Sequence, residues 1–289
     1  MKILLLGNTG QLGWELNRCL LPLGDVQAMD YPDINLAQPE TLRSLIRAAS
    51  PDVIVNATAY TAVDKAETEH ELNFSINAVS PGVMAEEAKK HGAVLIHYST
   101  DYVFDGSKGS LHMETDVTNP LNAYGESKLA GEKAIQDVDG NYLILRTAWV
   151  YSNRRDSFVS KVLQWSRQNE VLKIVDDQVS NPTWARMLAE ATSLLLARGT
   201  AYIEERKGLY HLAGGGYASR LDWAREILRL DKNSQEQKTR ETVPASTKDF
   251  PTPAVRPLFS TLDCSKFEQA FDICLPDWEL ALKLAMSSL

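Results

Sequence analysis

The chain has little cysteine: Cys19, Cys264 and Cys274 are the three in 289 residues. A sparse, odd set builds no disulfide framework and points to a reducing compartment. Positive charge is also short, with 30 Lys and Arg against 38 Asp and Glu and a net charge of −8. A general nucleic-acid binder needs clustered cations to neutralise phosphates, so that class is excluded. No apolar run approaches the roughly 18 residues of a membrane span. Only four apolar residues, Ile3 to Leu6, stand before Gly7, too few for a signal-peptide core. The five histidines (His70, His91, His97, His112, His211) show no ligand spacing, so no zinc site is expected. Internal repeats and low-complexity tracts are missing too. The expectation is a cytoplasmic protein that binds neither nucleic acid nor membrane.

What is present is a repeated strand, turn and helix. Ile3-Leu4-Leu5-Leu6 is short and continuously apolar, as a parallel strand covered on both faces requires. Gly7, Gly10 and Gly13 follow at three-residue steps, and Leu12, Leu16 and Leu20 then recur at helical spacing. A Gly turn there lets backbone approach a pyrophosphate, which sits at the helix N-terminus. A plain strand-to-helix turn would carry the same glycines. The place of this one, directly after the first strand, favours Gly7, Gly10, Gln11, Leu12 and Gly13 as dinucleotide contacts.

A second strand, 26–29, ends at Asp30. A carboxylate there accepts from the adenosine ribose hydroxyls. No Lys or Arg lies between Asp30 and Arg43 to receive a 2′-phosphate, so NADH is expected over NADPH. Asp33 and Ile34 would flank the adenine. A third strand, 53–57, runs into Ala57-Thr58-Ala59-Tyr60, whose small residues suit backbone passing close to a ligand. A fourth, 94–99, ends at Thr100-Asp101. Ligands of open α/β sheets sit off the carboxyl ends of the strands. Gly7, Asp30, Ala57 and Thr100 all stand at such ends.

Tyr124 and Lys128 are four residues apart, which puts both on one face of a helix. A free phenol titrates near 10, and a neighbouring ammonium lowers that value. The pair alone is a weak signal, since a solvated Lys on an amphipathic helix gives the same pattern. The Gly turn and the Ser99-Thr100 hydroxyls strengthen it. Thr100 would hydrogen-bond a reacting carbonyl oxygen. Asp101 suits a cap as well as a ligand contact, and Trp149 suits a core as well as stacking on a sugar or base. Ser99 sits in no nucleophile-elbow pattern.

The expected fold is α/β: a Rossmann-type doubly wound parallel sheet with a smaller, interleaved C-terminal substrate domain. Residues 1–150 would bind NAD(P), with part of 171–178 rejoining that sheet, and 151–289 would mainly bind substrate. Helices are expected at 156–168, 184–197 and 220–230. The prolines at 251, 253 and 257 make an irregular segment around Arg256.

The Gly7-x-x-Gly10-x-x-Gly13 turn, Thr100 and Tyr124-x-x-x-Lys128 resemble the extended short-chain dehydrogenase/reductases. More narrowly, the chain resembles the dTDP-4-dehydrorhamnose reductase family from end to end. The matching segments include Gly10-Gln11-Leu12-Gly13, Thr61 to Glu67, Ser99 to Phe104, Pro120 to Gly125, Arg146 to Val150, Asp177-Gln178, Pro182-Thr183 and Arg256-Pro257. The resemblance implies that NADH or NADPH delivers hydride to C4 of a 4-keto-6-deoxy sugar nucleotide. The product, dTDP-L-rhamnose, would serve a cell-surface polysaccharide such as lipopolysaccharide. It implies that Tyr124 protonates the developing alkoxide and that Thr100 polarises the carbonyl. Lys128 would lower the Tyr124 pKa and hold the nicotinamide ribose. Asp101, Tyr102, Trp149 and Arg256 would contact the substrate.

Some members dimerise through a magnesium ion held by carboxylates on the first helix and just after the Pro-Thr pair. Glu15 fits the first position, but Arg186 occupies the second, and a cation repels the metal. A monomer or a magnesium-independent dimer is expected. An epimerase or 4,6-dehydratase on the same scaffold is one alternative. Against elimination, Tyr102 stands where the dehydratase branch has a Glu. A non-catalytic regulatory subunit, like that of methionine adenosyltransferase, is the other. Against it, the Thr-Ala-Trp-Val segment belongs to the catalytic reductases.

Overall fold

The computed structural model describes residues 1–287. Its centre is a six-stranded sheet in which every pairing is parallel. The first half supplies β1 (Lys2–Leu6), α1 (Gln11–Leu20), β2 (Asp25–Met29), α2 (Pro39–Ala49) and β3 (Val53–Asn56). Two short helices, α3 (Val63–Ala66) and α4 (His70–Phe74), lead through a π turn at Ser75–Val79 into α5 (Ser80–His91). Then come β4 (Val94–Thr100), α6 (Ala123–Val138), β5 (Asn141–Thr147) and β6 (Val150–Tyr151).

Apolar runs make these strands parallel and central. All seven residues of β4 and all four of β3 are buried, because helices cover both faces. Alternate residues separate the two faces. Ile3, Leu5, Val53, Val55, Val94 and Ile96 pack against α1, and Leu4, Leu6, Ile54 and Leu95 pack against α2 and α5. Burial of each such side chain contributes about 1.5–3 kcal/mol. The π turn runs directly into α5, where Pro81 stands in the first turn, a place that needs no backbone N–H donor.

The second half adds α7 (Phe158–Gln168), β7 (Val171–Val175), β8 (Val179–Ser180), β9 (Thr183–Trp184) and α8 (Ala185–Ala197). It continues with α9 (Thr200–Glu204), β10 (Gly208–His211), β11 (Ala218–Ser219), α10 (Arg220–Arg229) and β12 (Glu241–Ala245). It ends with α11 (Ser265–Phe271) and α12 (Trp278–Ser287). A separate core forms here around Tyr151, Trp184, Trp223 and Trp278.

The interleaving is real, but its element differs from the expectation. Residues 171–178 do not rejoin the main sheet: β7 pairs with β12 in a small sheet of its own. Its alternating burial, with Leu172 and Ile174 inward, suits a sheet with one wet face. The strand that returns is β10, which adds to β5 at the sheet edge. Helix α8 also returns, laying Leu188, Leu195 and Leu196 on the face covered by α1.

The sheet order is β2-β1-β3-β4-β5-β10, read from the β2 edge. The order reverses between β1 and β3, the switch point where such sheets open a crevice. Register aligns the strand ends: Leu6 lies beside Met29 on one side and Asn56 on the other. Gly7, Asp30 and Ala57 therefore emerge along one edge. Thr100 lies beside Thr147 on the same edge.

Candidate active site

A cleft of about 1020 Å³ opens along that edge. It runs from Gly7, Gly10, Gln11 and Leu12 past Asp30 and Ile34, and from Ala57 and Ala59 to Tyr124 and Lys128. Two glycines are required by geometry. Gly7 has φ +90°, a left-handed value, and a Cβ on it would stand 2.9 Å from Thr58 Cγ2. A Cβ on Gly13 would stand 2.0 Å from the Gly7 carbonyl oxygen. Gly13 therefore does not line the cleft; it lets α1 press onto the turn. This is the close-approach cradle a pyrophosphate uses at a helix N-terminus.

Asp30 lies at the cleft and is already engaged. Its Oδ2 accepts from Thr9 N at 3.0 Å and Thr9 Oγ1 at 2.6 Å, and its Oδ1 accepts from Tyr31 N at 2.8 Å. Ile34 is buried in the cleft wall, whereas Asp33 is exposed and outside it. Tyr60 also lies outside the lining, with its hydroxyl donating to Glu69 Oε2 at 2.6 Å.

Helix α6 carries Tyr124 and Lys128. Its N-cap is Asn122, whose Oδ1 accepts from Gly125 N at 2.8 Å, a contact worth about 1 kcal/mol. The other end of the same amide donates to Val255 O at 2.7 Å. Asn122 thus ties the helix start to the Pro-rich segment. Tyr124 falls in the first turn and Lys128 one turn later, both toward the cleft.

Lys128 is buried. Its Nζ donates to Tyr98 O at 2.7 Å and lies 3.2 Å from His97 Nε2. His97 Nδ1 lies 2.9 Å from Asn56 Nδ2, so a buried chain from β3 through β4 holds the amine. Burial pushes the Lys128 pKa down to about 8 and the His97 pKa well below its ordinary value.

The phenol departs from the expected direction. Lys128 was to lower the Tyr124 pKa, but burial raises it, opposed by a hydrogen bond with Thr100. Desolvation of the phenolate outweighs the Thr100 hydroxyl that opposes it. The consequence suits an acid: Tyr124 keeps its proton at neutral pH. The Tyr124 and Tyr102 rings meet edge to face at 5.8 Å.

Thr100 Oγ1 accepts from Tyr102 N and donates to Asp101 Oδ1, both at 3.1 Å. Asp101 spends its other oxygen on Ser260 Oγ at 2.5 Å and Ser180 Oγ at 3.0 Å. It is 2% exposed and links the two halves of the chain, so its carboxylate faces protein rather than the cleft. Burial raises its pKa. Arg256 is likewise occupied, with Nη1 and Nη2 on Asp64 Oδ1 and Oδ2 at 2.9 and 2.8 Å. Trp149 stacks on Trp223 with centroids 5.6 Å apart.

Three features had no sequence signal. Arg220, the first residue of α10, lies 3.5 Å over the Trp149 ring and feels the charges of Asp101 and Tyr102. Burial lowers its pKa to about 10. Beyond it lies a second cavity of about 360 Å³, walled by Phe158, Leu172, Ile174, Gln178 and Phe250. Behind the sheet, Glu132 on α6 pairs with Arg146 on β5 through two bonds of 2.9 and 2.7 Å and accepts from Ser99 Oγ. That buried pair fixes α6 to β4 and β5.

Glu15 on α1 and Arg186 on α8 lie close enough for their charges to interact. Arg186 Nε pairs with Glu190 Oε1 at 2.9 Å, and Glu15 feels the Arg186 charge while burial raises its pKa. Among the described residues, no helix is long and apolar enough to cross a membrane.

Comparison with known proteins matches residues 1–289 to the family model described as RmlD substrate binding domain. A dTDP-4-dehydrorhamnose reductase of Escherichia coli (strain K12) is 42% identical over 295 residues, covering 100% of this chain and 98% of that protein. The crystal structure of a dTDP-4-dehydrorhamnose reductase from Clostridium acetobutylicum superposes with a TM-score of 0.91 at 34% identity, covering 100% of this chain and 99% of the other. That of a dTDP-4-dehydrorhamnose reductase from Bacillus anthracis, in complex with NADP, gives 0.90 at 28% identity and covers 100% of both chains.

Proposed function

The chain belongs to the dTDP-4-dehydrorhamnose reductase family, and we propose that it reduces the C4 keto group of dTDP-4-dehydro-L-rhamnose to give dTDP-L-rhamnose. The observation that carries this reading is the meeting of Tyr124 and Lys128 with the Gly7 turn in one cleft. NADH or NADPH, when bound, would supply the hydride. The Gly7–Leu12 turn would hold its pyrophosphate, Asp30 its adenosine ribose and Lys128 its nicotinamide ribose. Asp30 favours NADH, because a carboxylate accepts from a 2′-hydroxyl and repels a 2′-phosphate.

The residues of the chain then do three things. Tyr124, and Thr100 once its hydroxyl turns from Asp101 Oδ1, hydrogen-bond the C4 oxygen and orient the carbonyl. Tyr124 gives its proton to that oxygen as negative charge builds there, an effect worth about 10²–10⁴-fold. Lys128 places a positive charge beneath the phenolate that remains. In the division of labour we propose, 1–150 binds the cofactor and 151–289 mainly the sugar nucleotide. Tyr102 and Trp149 would line the sugar. Arg220 and the 360 Å³ cavity suit the diphosphate and the nucleoside. Asp101 and Arg256 would act by fixing this wall, through Ser180, Ser260 and Asp64.

The test is NADH oxidation by the purified chain with dTDP-4-dehydro-L-rhamnose. Stoichiometric NADH loss and formation of dTDP-L-rhamnose are expected. A protein that binds NADH but never consumes it with this substrate would favour the regulatory alternative. The dehydratase and epimerase alternatives gain nothing from the relatives named above, which are reductases.

Assembly is a second expected outcome. Arg186 sits where a metal-bridging carboxylate would be needed, and Glu190 neutralises it. A monomer, or a dimer indifferent to magnesium, is expected in sedimentation with and without EDTA. A dimer that dissociates on chelation would show that Glu15 recruits the metal despite Arg186.

A further inference from the structure

We infer that Arg155 receives the 2′-phosphate of the adenosine ribose when NADPH is the dinucleotide bound. The inference rests on the nicotinamide-dependent reading above. Along the sequence, the first cation after Asp30 is Arg43, on helix α2. The fold supplies another from the opposite half of the chain.

The segment 152–156 follows β6 and is clasped onto the Gly turn. Ser152 Oγ donates to Gln11 Oε1 at 3.1 Å, and the Arg154 guanidinium lies 4.8 Å over the Trp14 ring. Arg155 Nη2 donates to Thr9 Oγ1 at 2.9 Å, and Thr9 Oγ1 donates onward to Asp30 Oδ2 at 2.6 Å. Arg155 and Asp30 thus meet on one hydroxyl. Arg155 holds a left-handed φ of 68°, an uncommon value for a residue with a Cβ, and it is among the residues that line the cleft.

Charge along the cleft supports the assignment. Its lining cations are Lys128, at the Tyr124 end, and Arg155, at the Asp30 end; its lining anions are Asp30 and Asp156. Without Arg155 a 2′-phosphate would meet only like charge there. Arg155 is exposed, so its guanidinium can leave the neutral Thr9 hydroxyl for a phosphate. Guanidinium and phosphate make a charge-assisted, two-pronged contact stronger than the one given up.

A cation over a Gly turn has one rival role, clamping the pyrophosphate that both dinucleotides share. Equilibrium binding of NADH and NADPH, followed by quenching of tryptophan fluorescence, separates the two. The intact chain should bind both. Arg155→Ala should raise the NADPH Kd about tenfold and the NADH Kd less than about twofold. Arg155→Lys should keep part of the NADPH binding, and the NADPH loss should shrink in high salt. Equal losses for the two dinucleotides would assign Arg155 to the pyrophosphate and overturn the inference. So would unchanged NADPH binding in Arg155→Ala. If the intact chain bound neither dinucleotide, the reductase reading itself would fall, and this inference with it.

Discussion

Replacing Tyr124 with Phe should lower kcat by about 10²-fold or more while leaving the Kd for the dinucleotide within about twofold. The ring stays, so its edge-to-face contact with Tyr102 at 5.8 Å survives. What is lost is one hydroxyl and its proton. The raised pKa of the phenol makes this loss decisive, because the group is held in the donating form at neutral pH. Charge on the C4 oxygen would then have to be met by Thr100 alone. That hydroxyl already donates to Asp101 Oδ1, so it is poorly placed to replace a proton. Steady-state kinetics with the sugar nucleotide saturating, together with dinucleotide titrations, would check both halves of the expectation. Near-full activity in Tyr124→Phe would require another acid.

The sequence displayed those parts of the site that lie within one local element. The Gly turn could be read because strand, turn and helix are contiguous and the glycines are forced by backbone contact, as at Gly7 and Gly13. Tyr124 and Lys128 could be read because helical spacing alone puts them on one face. Helices α7, α8 and α10 lie within one or two residues of the expected spans 156–168, 184–197 and 220–230. What could not be read was pairing at a distance. Nothing local says that β10, rather than β7, returns to the sheet, since both are short apolar strands. The second cation of the cleft, Arg155, and the buried cation beside Trp149, Arg220, come from loops and helix starts whose neighbours are set only by the fold. The same reason hid the occupation of Asp101 and Arg256. Each looks like a free charge in sequence, and each is spent on a partner at least 79 residues away. Burial misled the pKa argument in the same manner. Spacing announced the ammonium beside the phenol, but desolvation, which spacing does not report, sets the direction for both groups.

Replacing Lys128 with Met should lower kcat/KM by about 10²–10³-fold, the range seen when a preorganised charge is removed from a developing oxyanion. It should also weaken dinucleotide binding, unlike the Tyr124 change. Stability should change little with it. The folded pKa of Lys128, about 8, lies below its ordinary value of 10.5, so folding disfavours the cation. That cost is fully present below about pH 8 and fades as pH rises toward 10.5. A Met of similar length removes that cost at neutral pH but also the donor to Tyr98 O, so Tm should change little. The same titration gives an alkaline limb. In the intact protein kcat/KM should fall as pH rises through about 8, because Lys128 loses its charge there. The Tyr124 phenol titrates higher, so that limb belongs to the lysine, and Lys128→Met should lack it. The double change, with Tyr124→Phe added, should cost little beyond the worse single change, since the cation acts on the phenolate that the acid leaves behind. Fully additive losses, or a limb near pH 8 that persists in Lys128→Met, would separate the two residues and place the titrating group elsewhere.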